Sequence, residues 1–558
     1  MKISSTSLDD PLYYLYNAKQ VINLCLSLYN GLLLPQEVEL LERFLSSEEP
    51  TQALLIRMVM RKGTSFRIDN LKYDEVPNQA EAIQMLVEAG LVDDQPYLSI
   101  ETLCDLCKKN ECLQLTKQLL PESHFPASIR KSDLVAELSG SFGGESAKPL
   151  NIWWPDAPFQ VVELKCNDLF DRLRLMFFGN LHQTWSEFVL TELGLQQFES
   201  VPLTAESRPF QNRAEVDLYL RLHQLKEQVA AGQSIELICE SLPTPVDCDW
   251  LNYRRQKVLF ELGREAERQQ LIDLALDLYE QSQDYEAQLR TLRILEKREQ
   301  PELVFQLADK AFERIPQPEI RTGLKRIKQR CSRKAGLDYV AVKDKKVPTN
   351  LLVLPKPTEI RVEQAVIDAL SNDGTQLFHV ENRLFTGLFA LLFWPALYAP
   401  VRGAFFNPFQ SGPADLYRPG FGDTRRKLLD QGFALLQSKG NQSGEYREII
   451  LTRLEQKQAI SCPLIHWPSL PVDLVKSALA IIPAEHLSAI FRHLLLDLRH
   501  HRRGLPDLIE LNHSKGQYRL IEVKGPGDRL QDHQHLWIQA MLEHDIPVSV
   551  LNVAWNEG

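Results

Sequence analysis

The sequence of 558 residues lacks several features that would mark other classes of protein. Its nine cysteines are scattered and show no disulfide framework, which indicates a protein of a reducing compartment. Cys104 and Cys107 form a C-x2-C pair, but no second pair of matching spacing follows, so we expect a core position there rather than a zinc site. The first residues, MKISS, lack the apolar stretch of a signal peptide.

One charge-free run bears on membrane insertion. It extends over eighteen residues, from Leu384 to Val401, and it contains Gly387, Pro395 and Pro400. A membrane-spanning helix needs about 20 residues, and this run is shorter and interrupted. We therefore expect a buried helix here, and no membrane association.

The chain also lacks an overall positive charge. Its formal net charge is −11, so any binding to nucleic acid must come from local basic patches. The apolar content of 44% and the charged content of 25% are those of an ordinary globular protein. A chain of this length is expected to form several domains, because single cores stop growing near about 250–300 residues.

The most informative pattern lies near the C-terminus. The letters GLPD at residues 504–507 are followed by fourteen residues and then by Glu522, Val523 and Lys524. Residues 517–524 alternate with the period of a β-strand, so Glu522 and Lys524 share one face. A polar turn precedes this strand and brings Asp507 back toward it. The pattern predicts two carboxylates and one amine on a single β-hairpin.

These residue types suit a metal-dependent phosphodiesterase. Divalent ions such as Mg²⁺ prefer carboxylate and carbonyl oxygens, which Asp507, Glu522 and the backbone of Val523 can supply. Such an ion polarises a phosphodiester and lowers the pKa of water, while Lys524 orients the attacking water or stabilises charge on the phosphorane. A surface hairpin with a solvated Glu/Lys pair is the alternative interpretation.

The residues after the hairpin favour the nuclease interpretation. Asp528 is expected to N-cap the next helix, which carries Gln534 and Trp537 on one face. Together with LPDL at residues 505–508 and IEVKGP at residues 521–526, they resemble the VRR-Nuc branch of the P-D-(D/E)-x-K nuclease superfamily. The chain is identified as a bacterial member of the Fanconi-associated nuclease family.

The resemblance extends the predicted site upstream of the hairpin. The residues alone leave open whether Glu381, at the head of the apolar run, binds metal or is a solvated helix-terminal glutamate. The family places a metal-binding glutamate at a matching H-x-E…L-x-x-L-L-x-W stretch. The resemblance therefore implies that Glu381 joins Asp507, Glu522 and Val523 as metal ligands.

The resemblance also implies roles for the remaining site residues. Lys524 is expected to act in catalysis with Asp507 and Glu522, Gln534 to support the site or contact the scissile strand, and Arg529 to neutralise phosphate. One or two Mg²⁺ or Mn²⁺ ions are the implied cofactors. Eukaryotic relatives carry an N-terminal Cys/His finger that binds ubiquitin, and we expect none here, since a single cysteine precedes Cys104.

Three basic stretches are candidate DNA contacts. The alternative is an ordinary solvated face for the stretch from Arg57 to Lys72 and a solvated linker for residues 321–346. Residues 321–346 are the densest, with ten Lys or Arg against two Asp. The predicted DNA-binding residues are Arg57, Arg61, Lys62, Arg67, Arg130, Lys131, Lys325, Lys328 and Arg330, in addition to Arg529.

The predicted fold class is α+β with several domains. Mostly α-helical N-terminal and middle regions, with a SAP-like module and tetratricopeptide-like helical repeats, precede a restriction-endonuclease-like α/β core with a mixed sheet. We expect a flexible linker at residues 139–144. The predicted domains are an N-terminal helical DNA-binding region at 1–98, a SAP-like module at 99–145, a helical domain at 146–370 and a VRR-Nuc domain at 371–558.

The first functional hypothesis is a structure-selective DNA nuclease. The resemblance implies 5′-flap endonuclease and 5′→3′ exonuclease activity in interstrand-crosslink repair. A four-way-junction resolvase or restriction-type endonuclease is one alternative, and a non-catalytic DNA-binding repeat adaptor is another. The expected partner is DNA with a 5′ flap or branch, and we expect a cytoplasmic bacterial monomer that associates with the nucleoid during repair.

Overall fold

The computed structural model describes ten stretches of the chain, which form two compact units. These stretches are residues 10–29, 31–123, 125–126, 128–185, 197–298, 300–340, 343–355, 360–372, 374–438 and 444–556. The first unit comprises residues 1–195 and 210–216, and the second comprises residues 196–209 and 217–558.

The first unit is mainly helical. Its helices are α1 (Tyr13–Leu28), α2 (Pro35–Ser46), α3 (Glu49–Val59), α4 (Gln79–Glu88), α5 (Ile100–Leu106), α6 (Lys109–Leu119), α7 (Lys131–Phe142), α8 (Leu150–Trp153) and α9 (Asn167–Phe178). Its strands are β1 (Ser65–Arg67), β2 (Val92–Asp93), β3 (Tyr97–Leu98), β4 (Lys148–Pro149) and β5 (Val161–Leu164). Strand β5 pairs antiparallel with β1 and β2, and β3 pairs antiparallel with β4.

The predicted linker at residues 139–144 is wrong over most of its length. Helix α7 continues through Ser139 and Gly140 to Phe142, and Gly143 follows as its C-cap. The helix persists because its apolar side chains are packed: Leu138 is buried, and the ring of Phe142 meets that of Trp153 edge-on with centroids 6.1 Å apart. Tertiary packing thus overrides the weak helix propensity of serine and glycine.

A series of helices follows in sequence. They are α10 (Arg213–Ala230), α11 (Ile235–Glu240), α12 (Asp249–Arg268), α13 (Ile272–Ser282), α14 (Tyr285–Arg298), α15 (Pro301–Arg314) and α16 (Pro318–Ala335). Helix α12 packs on α13, and α15 packs on α16. Gly263 permits the close approach of the first pair, because a Cβ there would lie 2.7 Å from the ring of Tyr279.

A five-stranded mixed sheet forms the C-terminal core. Its strands are β6 (Thr349–Pro355), β7 (Thr375–His379), β8 (Leu508–Asn512), β9 (Gln517–Lys524) and β10 (Val548–Asn556), in the order β6-β10-β9-β8-β7. Strand β10 is parallel to β6 and β9, whereas β8 is antiparallel to β7 and β9. The predicted α+β class, with helical regions before a mixed sheet, is confirmed.

The helices of the C-terminal region pack on both faces of this sheet or against one another. They are α17 (Val362–Leu370), α18 (Leu384–Leu392), α19 (Trp394–Leu397), α20 (Phe421–Thr424), α21 (Arg426–Gln437), α22 (Glu445–Gln456), α23 (Val472–Ile481), α24 (Ala484–Leu496), α25 (Leu498–His501) and α26 (Asp532–Glu543). Side chains of β9 alternate between two cores: Leu520 joins the large cluster of α18, α24 and α26, and Ile521 joins a smaller cluster with α17.

The charge-free run beginning at Leu384 forms a buried helix, as predicted. All nine residues of α18 are buried, which accounts for the absence of charge. In the described part of the chain, no single helix has the length and apolarity of a membrane span, although α23 and α24 together pass this test across a bend of 111°.

Candidate active site

Asp507, Glu522 and Lys524 lie on one face of the β8–β9 hairpin. The last recorded pair of the hairpin joins Leu508 to Ile521, and one further step of this antiparallel register places Asp507 opposite Glu522. Residues directly opposite each other in a sheet point to the same face, and Lys524 is two residues beyond Glu522 on that face. All three are largely withdrawn from solvent, with 8%, 1% and 8% of their surface exposed.

Backbone amides fix the position of Asp507. The Val523 N–H donates to Asp507 Oδ2 at 2.8 Å, and the Val380 N–H donates to the Asp507 carbonyl at the same distance. The pKa of Asp507 is raised to about 6, mainly by burial and also by the charges of Glu381 and Glu363, while the Val523 amide and Lys524 act to lower it. The carboxyl is therefore held in place without full neutralisation of its charge.

Glu522 is a buried carboxylate, and one of its oxygens is available to accept a further ligand. Lys524 Nζ lies 2.8 Å from Glu522 Oε1, whereas Oε2 has no hydrogen-bond partner among the described residues. Burial and the neighbouring charge of Asp507 raise the pKa of Glu522 to about 7, while Lys524 lowers it. A buried carboxylate oxygen without a donor is costly unless a cation completes its environment.

Gln534 holds the amine of Lys524 from the other side. It lies in the first turn of α26, where its Oε1 accepts from Lys524 Nζ at 2.9 Å and from the Gln531 N–H at 3.0 Å. The predicted support of the site by Gln534 therefore has a geometric basis. The prediction that Asp528 caps this helix is wrong: Gln531 is the N-cap, and Asp528 Oδ2 instead accepts from the Gly525 N–H at 3.1 Å.

Glu381 lies at the edge of the site rather than within it. It follows β7, which pairs with β8, and its side chain remains 46% exposed in contact with Asn382. Its charge raises the pKa of both Asp507 and Glu522, which shows that it interacts electrostatically with both. Across the described residues, no three His, Cys, Asp or Glu side chains are gathered closely enough to form a ready-made metal cluster.

A divalent cation nevertheless fits the donors present. The site offers carboxylate oxygens, the type that Mg²⁺ and Mn²⁺ prefer. Asp507 and Glu522 are buried acids whose pKa values are raised by burial and by nearby carboxylates, and Oε2 of Glu522 has no hydrogen-bond partner in the described stretches. A bound cation would neutralise the buried acidic charge and would contact the oxygen that has no partner, so the residues fit a metal site.

Sequence reasoning missed a basic cleft beside Glu381. The cleft has a volume of about 400 Å³, and its lining includes Arg383, Arg502, Arg503 and His466. The Arg502–Arg503 pair directly precedes the GLPD motif, which is a signal that the sequence did contain. Gly504, at φ +86°, lets this turn approach α26 closely, because a Cβ there would lie 2.6 Å from the ring of His533.

The first unit uses several predicted DNA-binding cations internally. Arg67 is buried and pairs with Asp69 and Glu111. Arg57 pairs with Glu75 at 2.5 Å. Lys131 Nζ donates to the carbonyl of Cys107. Arg61 donates to the carbonyl of Asn70 but is exposed, as are Lys62 and Arg130. Ala127, in the segment predicted to precede the SAP-like helix, lies outside the described residues.

The basic stretch at residues 321–346 is likewise partly structural. Lys328 is buried and ion-paired with Asp309, and Arg330 forms two contacts with Glu296 at 2.6 and 2.7 Å. Lys325 is half-buried, and Arg529, in the loop before α26, is exposed. DNA contact by these residues stays a prediction, and Lys328 is the least available of them, because its charge is already paired inside the fold.

Comparison with known proteins places this geometry in a family. Residues 441–555 match the VRR-NUC domain, and residues 12–93 match the FAN1 HTH domain. A Fanconi-associated nuclease 1 homolog of Pseudomonas aeruginosa is 40% identical, over 100% of this chain and 98% of that protein. A homolog of the same name from Arabidopsis thaliana is 22% identical, over 96% of this chain and 66% of its own length.

A solved structure is similar over almost the whole chain. It is the crystal structure of paFAN1 bound to gapped DNA with a 5′ flap of 2 nucleotides. Its TM-score is 0.84 and its sequence identity is 40%, over 99% of this chain and 100% of that one. Members of such nuclease families generally depend on divalent metal ions. The chain belongs to the Fanconi-associated nuclease family.

Proposed function

We propose that this protein is a divalent-metal-dependent nuclease that cleaves 5′-flap and other branched DNA and degrades DNA in the 5′→3′ direction. The observation that carries the proposal is the convergence of Asp507, Glu522 and Lys524 on one hairpin face, where a buried carboxylate oxygen has no hydrogen-bond partner in the described part of the chain. The similar crystal structure bound to 5′-flap DNA supports the choice of substrate.

Asp507, Glu522, Glu381 and the carbonyl of Val523 are the proposed ligands of one or two Mg²⁺ or Mn²⁺ ions. Within a strand, the N–H and C=O of one residue point toward the same neighbouring strand. The Val523 N–H is directed at Asp507, so its carbonyl is expected on that side too. Bound there, the ion would supply Lewis-acid neutralisation of the phosphodiester charge.

The side chains of this protein then perform the remaining tasks. Lys524 is held between Glu522 and Gln534, so its ammonium group is fixed before substrate arrives. From that position it orients the attacking water and stabilises the negative charge that develops on the phosphorane. Gln534 keeps the lysine in place, and the Val523 amide keeps Asp507 oriented.

The substrate strand is proposed to approach through the basic cleft. Arg383 and Arg503 are exposed beside Glu381, and Arg529 is exposed in the loop that follows β9. Arginine side chains bind phosphate with planar, paired donors. Since the net charge of the chain is −11, this local cluster is needed to hold a polyanion near the site.

The cellular assignment follows from the substrate. We infer action on the bacterial chromosome in the cytoplasm, at the nucleoid, during repair of interstrand crosslinks. The protein is proposed to work as a monomer, because one hairpin supplies the aspartate, the glutamate and the lysine. A ubiquitin-binding finger has no part in this proposal.

The assignment can be tested with two site variants and one control on the same hairpin. Asp507→Asn and Lys524→Ala are expected to slow cleavage of a 5′-flap duplex in Mn²⁺ by about 10²–10⁴-fold, because each removes a group from the reacting centre. The control is Glu510→Gln, which should cleave at the wild-type rate. The Glu510 carboxylate lies 2.7 Å from Arg519, on the face of the hairpin opposite the site.

Binding and substrate preference complete the test. Both site variants should bind the flap duplex within about twofold of wild type, since neither residue is an exposed phosphate contact. Among 5′-flap, 3′-flap, four-way-junction and linear duplexes, the 5′ flap should be cut fastest. Cleavage at the wild-type rate by either variant would overturn the proposed site, and symmetric nicking of junctions would favour a resolvase.

A further inference from the structure

Beside the catalytic lysine, the sheet presents an apolar surface that is exposed among the described residues. In the parallel register, Lys524 pairs with Asn552 and Asn552 pairs with Leu351, while Ala554 pairs with Val353. Paired residues of a sheet point to the same face, so Leu351, Val353, Asn552 and Ala554 share the face of Lys524. We call these four residues the sheet shelf.

The apolar side chains of the shelf are unusually accessible for an ordered strand. Leu351 is 68% exposed and Val353 is 50% exposed, whereas Leu352 and Leu354, between and beyond them, pack against the cluster of α17. Strand β6 is thus anchored by one face and open on the other. Two neighbouring aliphatic side chains exposed on the site face form a local surface that a ligand can cover.

Helix α26 covers the face of the sheet that carries Lys524, but this cover ends just before the shelf. Val548 and Val550 of β10 belong to the same buried cluster as Trp537 and Met541 of α26. The next residue on that face, Asn552, is only half-buried. The open surface therefore begins where Lys524 stands and continues outward across β10 to the edge strand β6.

The spacing suits a nucleoside next to the scissile phosphate. Neighbouring strands lie about 4.8 Å apart, so Leu351 is two strand spacings, roughly 10 Å, from the strand of Lys524. A phosphodiester at Lys524 would therefore bring the adjoining sugar and base over Asn552 and Leu351. Aliphatic side chains commonly contact the faces of unstacked bases, and an asparagine amide can bond a base edge.

We propose that the sheet shelf binds the base of an unpaired nucleotide adjoining the scissile phosphate, an inference that rests on the proposed nuclease function. A base inside a duplex has both faces stacked and cannot lie on this surface. A base in a flap or a frayed junction is free to do so. The shelf would thus favour cleavage where one strand has left the duplex, which provides a physical basis for structure selectivity.

The test combines a shelf variant with a missing base. The substrate is a 5′-flap duplex cleaved in Mn²⁺, and an abasic residue replaces in turn each nucleotide that flanks the mapped cut. On the intact substrate, Leu351→Asn should lower kcat/KM by roughly fivefold, the size expected for loss of one partly buried aliphatic contact. Val353→Thr, which keeps the branched shape, should lower it less.

The test depends on whether the effects of Leu351→Asn and of the abasic nucleotide on kcat/KM are coupled. For wild type, one abasic position should lower kcat/KM by a similar factor, and Leu351→Asn should lose nothing further on that substrate. Independent effects that multiply, or no abasic effect at all, would overturn the shelf while leaving flap cleavage intact. Failure of the nuclease function itself would instead appear as wild-type cleavage that is insensitive to Asp507→Asn.

A matched control excludes general effects of the substitution. Leu303, on α15, is also an exposed leucine, and Leu303→Asn should leave kcat/KM and the thermal midpoint unchanged. Leu351→Asn should likewise keep the wild-type midpoint, because its side chain is mostly in solvent. A change in the oligomeric state of Leu351→Asn in the absence of DNA would overturn the proposal and identify the shelf as a contact between copies.

Discussion

At the residue scale, two buried acids define the chemistry of this site. Asp507 and Glu522 face each other across the hairpin, and burial raises their pKa values to about 6 and about 7. Lys524 alone does not balance them, because it is shared between Glu522 and Gln534. The site therefore carries an electrostatic cost in the free protein, which the proposed cation would relieve.

This cost predicts how the stability of the metal-free protein depends on pH. Because both folded pKa values lie above those of the unfolded chain, the native state keeps protons that the unfolded state releases between about pH 4 and about pH 7. The free energy of unfolding should therefore fall as pH rises through that window. Chemical unfolding in the presence of a chelator measures this slope.

Glu522→Gln should remove a large part of the slope. At about pH 8 the metal-free variant should be more stable than wild type by on the order of 2 kcal/mol, and near pH 4 the two should be equal. Glu510→Gln serves as the control, since Glu510 pairs with Arg519 away from the site and should not alter the slope. A difference between Glu522→Gln and wild type that is independent of pH would contradict the assignment.

At the element scale, α26 connects the motif turn to the lysine. The indole N–H of Trp537 donates to the carbonyls of His501 and Arg503, both at 3.0 Å. These carbonyls belong to the turn that leads into Asp507, and Gln534 lies one helical turn before Trp537 on α26. One helix thus fixes both the approach to the aspartate and the amine of Lys524.

Trp537→Phe tests the contribution of the indole hydrogen bonds apart from that of ring packing. The aromatic ring remains, but two buried carbonyls lose their shared donor, which should destabilise the protein by about 1–2 kcal/mol. Cleavage should slow several-fold, because the turn before Asp507 loses its anchor, as measured by single-turnover kinetics. Trp153→Phe, which removes a 2.7 Å bond to the Leu98 carbonyl in the first unit, should lower stability without slowing the chemical step.

Arg67 illustrates an element-scale role for a predicted DNA contact. Its guanidinium joins β1 to α6 through Glu111, pairs with Asp69 and lies over the ring of Phe159. Arg67→Ala should lower the free energy of unfolding by about 1.5–3 kcal/mol, because Glu111, only 13% exposed, loses its charged hydrogen-bond partner.

Comparison with an exposed neighbour tests that interpretation. Lys62→Ala should change stability by no more than about 0.5 kcal/mol. Urea unfolding and DNA binding should be measured on both variants. Loss of DNA affinity in Arg67→Ala at unchanged stability would restore the original prediction of a phosphate contact.

At the scale of the whole molecule, an acidic protein must bind a polyanion. The net charge of −11 opposes DNA binding, so we expect affinity to depend on exposed arginines near the site. Affinity of cleavage-deficient Asp507→Asn for a 5′-flap duplex should fall steeply with salt, by about 10³-fold or more between roughly 50 and 200 mM NaCl if six or more phosphates are contacted.

Individual cations should contribute separately to this dependence. Arg503→Ala and Arg529→Ala should each reduce the slope of log affinity against log salt by about 1. Arg330→Ala should leave the slope unchanged, because that side chain is already paired with Glu296. Equal effects of all three substitutions would show that the basic stretch of α16 also faces DNA.

The sequence by itself determined the parts of this protein that depend on local geometry. Strand alternation and a short turn place Asp507, Glu522 and Lys524 on one face, and a charge-free run at Leu384 is long enough for a buried helix only. The family followed from the same short motifs. Each of these features is fixed by residues close together in the chain.

Only the tertiary structure decided which distant residues meet. Glu381 reaches the edge of the site because β7 pairs with β8, and Arg383 joins Arg502 and Arg503 in one cleft across more than a hundred residues. Arg67 and Lys328 are themselves buried and ion-paired with Glu111 and Asp309, which no local pattern indicates. Burial and ion pairing depend on contacts remote in sequence, which periodicity and spacing do not encode.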